Sequence, residues 1–148
     1  MSGRHLVVAL DRPLAREVTD YVREWLEVGV PVCLLVADEP TVAAVRAAGS
    51  LPAHPQLEMR ALQPDEDARS LARRLPARLR RLYTAVVRPW VLGRRWRSVA
   101  AEVNLTSVER LVAADVAATT LVWRLCRRFP HVVATTALDP PATPRRAS

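Results

Sequence analysis

The sequence predicts an α/β domain built on an open, mostly parallel sheet of five strands. Three observations carry this. Short, wholly apolar runs recur along the chain, and amphipathic helical patterns stand between them. Strands of a parallel sheet are covered by helices on both faces, so they read as continuous apolar runs. Four of the five runs also finish on an aspartate: Asp11, Asp38, Asp115 and Asp139.

The first strand is read at residues 6–10, Leu-Val-Val-Ala-Leu, followed by Asp11, Arg12 and Pro13. Pro13 suits the first turn of a helix, where a missing N–H costs nothing. The helix after it shows an apolar stripe of Leu14, Val18, Tyr21, Val22, Trp25 and Leu26, and Gly29 closes it. Residues 30–37 form the second strand. A short helix follows from Pro40 and Thr41 to Ala48, closed by Gly49. Beyond the prolines at 52 and 55, residues 56–62 alternate Leu57, Met59 and Ala61 with Glu58 and Arg60. That alternation predicts a third strand near a sheet edge.

The long middle, residues 64–104, carries Ala68, Leu71, Leu75, Leu79, Leu82, Val86, Trp90 and Gly93 at spacings of three and four. This is one helical stripe, expected to face inward. Pro76 and Pro89 break it into two or three pieces. The opposite face holds Arg73, Arg74, Arg78, Arg80, Arg81, Arg88, Arg94, Arg95 and Arg97. A fourth strand is read at 110–114, an amphipathic helix at 116–129 and a fifth strand at 131–138. Residues 140–148, rich in proline and arginine, form a disordered tail.

Strands and helices thus alternate, with the longest helical segment between the third and fourth strands. Right-handed crossovers give the sheet order 3-2-1-4-5, a Rossmann-like arrangement filling residues 1–139 as one domain. Its switch point falls between the first and fourth strands, so Asp11, Arg12 and Asp115 stand at the mouth where ligands of open α/β sheets bind. These three, with Asp139, are the ligand-cleft candidates. The competing role for each aspartate is to cap the next helix.

Composition bounds the function. The chain has 148 residues, half of them apolar, and a net charge of +7. Every basic residue is arginine. Residues 60–97 hold 11 of the 22 arginines and 3 of the 15 acids, so that segment is +8 and the remainder −1. No apolar run approaches the roughly 18–20 residues of a membrane span. No signal-peptide pattern precedes the first strand, and Cys33 and Cys126 read as free thiols, which together point to the cytoplasm. No zinc spacing is present. The chain has four glycines, and none stands in the turn after the first strand, Asp11-Arg-Pro-Leu, which leaves no phosphate loop for NAD, FAD or ATP held in the usual manner. No nucleophile elbow or triad is evident, and His5, His54 and His131 read as ordinary edge residues. No catalytic residue, metal or cofactor is assigned.

The localised arginines suit an anionic surface. Arg73, Arg74, Arg78, Arg81, Arg88, Arg94 and Arg95, with Trp90 and Trp96, fit the inner face of an anionic membrane. A solvated basic face over a core stripe is the plainer alternative. Nucleic acid is a third option, because residues 99–112 pass for a helix-turn-helix with Asn104 at the turn. That option requires helix where the fourth strand is otherwise expected.

The arrangement resembles the N-terminal, acceptor-side half of GT-B type glycosyltransferases. The likeness rests on three stretches. The first is His5-Leu-Val-Val-Ala-Leu-Asp-Arg-Pro-Leu-Ala-Arg-Glu, leading to Glu27-Val-Gly-Val-Pro-Val. The second is the basic helical insertion after the third strand. The third is the Asp115-centred run from Arg110 through Phe129 to the fifth strand. The resemblance implies a cleft-facing role for Asp115. Because such enzymes bind the sugar donor in a C-terminal domain not seen here, it also implies a second chain supplying that half. A non-catalytic, partner-binding module is the remaining option.

Overall fold

A computed structural model describes residues 3–62, 73–83, 86 and 88–142. The chain forms a five-stranded sheet ordered β3-β2-β1-β4-β5, with every neighbouring pair parallel. The strands are β1 (Arg4–Val8), β2 (Val32–Val36), β3 (Leu57–Ala61), β4 (Val108–Ala113) and β5 (Val133–Thr135). This is the α/β class and strand order expected from the apolar runs.

Helices cover both faces. Helix α1 (Arg16–Glu27) and α2 (Glu39–Ala48) lie on one side, where Val18, Tyr21, Val22, Leu26 and Val42 pack on Val7, Leu34, Val36 and Val112. On the other, α5 (Trp96–Glu102) and α6 (Val116–Arg128) pack Val99, Leu121 and Leu125 on Leu6, Val8, Leu35 and Leu111. Adjacent strand residues alternate between these two cores, which is why β1 and β2 are apolar throughout. Two further short helices, α3 (Ala77–Leu82) and α4 (Arg88–Gly93), lie in the arginine-rich segment. The stripe residues Ala68 and Leu71 lie outside the described residues, as does residues 143–148 of the expected tail.

Local chemistry sets the boundaries. Asp38 caps α2 by accepting a hydrogen bond from the Thr41 backbone N–H at 2.8 Å, and Gly49 ends that helix with φ 66°. β5 is shorter than residues 131–138 suggested. It pairs only with β4, and Val133 stands exposed at the sheet edge. β4 starts at Val108, so residues 108–112 are strand and the helix-turn-helix at 99–112 does not form. Val108, Leu111 and Val112 are buried in that strand, whereas a recognition helix needs its exposed face free for a groove.

Candidate functional site

At the sheet's switch point the Asp115 carboxylate ties two segments together. Asp115 follows β4 and caps α6, its Oδ1 accepting from the Ala118 N–H at 3.0 Å. Its Oδ2 accepts from the backbone N–H groups of Asp11 at 2.8 Å and Arg12 at 3.3 Å. Both oxygens therefore serve the protein's own backbone. The structure brings Asp11, Arg12 and Asp115 together at the expected place, and it gives Asp115 a fastening role there.

Asp139 is not part of this group. It lies beyond β5, and its carbonyl accepts a hydrogen bond at 3.1 Å from Trp25 Nε1–H. The Trp25 ring sits 4.4 Å from the ring of His5, at the start of β1. Asp139 thus belongs to the opposite end of the sheet from Asp11. The early end of β5 causes this, since three residues of strand leave the chain free to turn back over α1.

His5 is buried rather than an edge residue. Its Nδ1 lies 2.9 Å from the Tyr21 hydroxyl. A register irregularity in the β1–β4 pairing sets Arg110 opposite His5. Burial, then the Arg110 guanidinium, pushes the His5 pKa down to about 4. The imidazole is neutral in a closed pocket, so it is a packing and hydrogen-bonding residue. His131 lies 3.0 Å from the Leu105 carbonyl oxygen. Cys33 is buried and Cys126 half-buried, both as free thiols. Among the described residues no group of histidine, cysteine or carboxylate side chains has the arrangement to hold a metal.

The second candidate surface is the arginine-rich segment. Arg73, Arg74, Arg78, Arg80 and Arg81 are exposed, and α3 buries no side chain. Four residues of the stripe expected to face inward do not, whereas Leu75 is half-buried and Gly93 buried. Leu79, Leu82, Val86 and Trp90 are 50, 59, 61 and 50% exposed. Helix α4 meets the body through Gly93, where a Cβ would stand 2.7 Å from Thr120 Cγ2 on α6. Helix α4 packs against α6, yet Trp90 keeps half of its surface in solvent and α3 buries no side chain, so this part of the stripe stays outside.

Other members of the expected set are placed differently. Arg94 is exposed and stacks over Trp90 at 4.8 Å, whereas Trp96 packs against the core and Arg95 is half-buried. The side chain of Arg88 lies outside the described residues. Sequence reasoning missed Trp123 and Val116, which are 54 and 83% exposed on α6. Arg127 stacks over Trp123 at 4.9 Å, as Arg94 does over Trp90. The signal was in the helical spacing, because Trp123 and Val116 fall off the stripe of Leu121, Val122 and Leu125 that faces the sheet.

Two exposed tryptophans, each stacked by an arginine one turn later, and an exposed Leu-Leu-Val row thus lie among cations. Such a surface presents apolar anchors and positive charge together, which is what a headgroup–acyl boundary takes up. No helix among the described residues is long and apolar enough to cross a membrane. Comparison with protein-family models, with curated proteins and with solved structures finds no match for this chain.

Proposed function

We propose that this chain is a peripheral membrane-binding α/β domain that docks on an anionic bilayer, at its inner face, through α3, α4 and the outer side of α6. The observation that carries the reading is the exposed row Leu79, Leu82, Val86 and Trp90 set among Arg73, Arg74, Arg78, Arg80, Arg81 and Arg94. A solvated basic face needs no apolar row, and a core stripe would be buried. Arginine adds electrostatic attraction to anionic lipids, and the tryptophans suit the interfacial depth.

The glycosyltransferase-like reading sits within this proposal. The strand order and the basic insertion after β3 are in keeping with an acceptor-side half, and the donor-binding half would come from a second chain. Under that reading the chain alone transfers no sugar, and Asp115 positions the β1–α1 turn without touching a substrate. Nucleic acid remains the competing ligand for the arginines, by phosphate contact alone.

Co-sedimentation of the full chain with vesicles of anionic and of neutral lipid, beside duplex DNA binding, tests the proposal. Binding to anionic vesicles that survives moderate salt better than DNA binding does supports it, because apolar insertion is not screened. Tight DNA binding with a steep salt slope and no vesicle binding overturns it.

A further inference from the structure

At the end of α2 lies a cleft of about 520 Å³ against the edge strand β3. That volume falls within the roughly 300–1,000 Å³ common for small-molecule sites. Its floor is apolar: Val45 from α2, Leu51 from the following loop, and Leu57 and Met59 from β3. Its polar side chains are Arg46 and His54, and no carboxylate lines it among the described residues. Arg46 sits in the last turn of α2, exposed, and forms no ion pair among the described residues.

His54 is held in place by the backbone around it. The Gln56 N–H donates to its ring Nδ1 at 3.1 Å, and the Leu57 N–H donates to its carbonyl at 3.1 Å. A backbone N–H can only donate, so Nδ1 accepts and the neutral ring carries its proton on Nε2. That Nε2–H is a donor in a cleft that Arg46 also lines. The loop carrying it is tied to α1 by Arg23, whose Nη2 donates to the Ser50 carbonyl at 3.1 Å. A neighbouring cleft across Pro52 and His54 mixes Arg23 with Glu27, a balanced pair that does not select for charge.

We propose that the Arg46–His54 cleft binds a small amphipathic organic anion. Its charged oxygens would meet the Arg46 guanidinium and the His54 Nε2–H, and its aliphatic or aromatic body would lie over Val45, Leu51, Leu57 and Met59. None of these residues belongs to α3, α4 or α6, so this site stands or falls separately from membrane docking.

The probe is 2-naphthoate, titrated into the full chain and followed by amide chemical shifts, with naphthalene-2-methanol as the uncharged control. Saturable one-to-one shifts are expected at the amides of 45, 51, 57 and 59, with the control at least about fivefold weaker. Arg46→Glu, an exposed change, is expected to weaken naphthoate about tenfold or more by reversing a charge-assisted contact. His54→Gln is expected to weaken it severalfold in a chain whose spectrum stays folded. Shifts confined to the arginines of 73–97, equal affinity for the uncharged control, or unchanged affinity in Arg46→Glu would each overturn the proposal.

Discussion

The carboxylate of Asp115 holds the backbone N–H of Asp11 at 2.8 Å, fastening the end of β4 to the turn after β1. Asp11 and Asp115 are 104 residues apart in the chain, and this contact joins the ends of β1 and β4 outside the sheet ladder. The same carboxylate caps α6. Replacing it with alanine removes a cap and leaves two turn amides without their acceptor. Asp115→Ala should lower stability by about 1–3 kcal/mol, and Asp115→Asn by less, measured by urea unfolding. An unchanged unfolding midpoint in the alanine variant would show that the carboxylate is not structural.

His5 gives the fold a pH dependence of defined sign. Burial and then Arg110 lower its pKa from 6.5 to about 4, so between those values the unfolded chain holds a proton that the folded chain does not. Stability should therefore fall as pH drops from 6.5 toward 4, with one additional proton taken up on unfolding. In His5→Gln that proton uptake should vanish, although stability at neutral pH also falls because the Tyr21 hydroxyl partner changes. Urea midpoints across this range, in both proteins, measure it.

Gly93 sets the approach of α4 to α6. A methyl there would meet Thr120 Cγ2 at 2.7 Å and Cβ at 3.2 Å. Threonine is β-branched and has little rotamer freedom in a helix, so it yields poorly. Gly93→Ala should cost about 1–2 kcal/mol by thermal or urea unfolding, the strain exceeding the gain in helix propensity. Thr120→Ala in the same chain should recover part of that loss. Full tolerance of Gly93→Ala alone would mean that the two helices are not in close contact.

The exposed row predicts a separation of stability from binding. Leu82→Ser and Trp90→Ala act on side chains outside the buried core, so the melting temperature should fall by only a few degrees, far less than for a core truncation. Vesicle affinity should fall about fivefold to tenfold for Trp90→Ala, the scale of burying part of a large side chain. Trp123→Ala should act in the same direction.

Much of the fold was legible from residue types, and the reasons are local. Wholly apolar runs at 6–10 and 30–37 can be satisfied only between two helical layers, and the order 3-2-1-4-5 then follows from crossover handedness. The lengths of strands were less legible. β5 ends at Thr135 although Ala137 and Leu138 continue an apolar-looking run, because Leu138 packs on the α1 side of the sheet and the Asp139 carbonyl is held by Trp25. The direction of the 75–93 stripe was not legible at all. Periodicity states that Leu79, Leu82, Val86 and Trp90 share a face, but what that face meets depends on where α4 lands on α6. The roles of the aspartates were ambiguous for a related reason, since cap and ligand place the same residue type at the same point. Geometry assigns Asp38 and Asp115 to caps.

The most direct test of membrane docking is flotation of the chain with anionic vesicles, comparing the parent with a Leu82→Ser/Trp90→Ala variant and with an Arg78→Glu/Arg81→Glu variant. Docking through this face predicts that the parent floats, that both variants remain folded, and that both stay largely in the aqueous fraction. Equal flotation of all three, or no flotation of the parent on anionic vesicles, contradicts it.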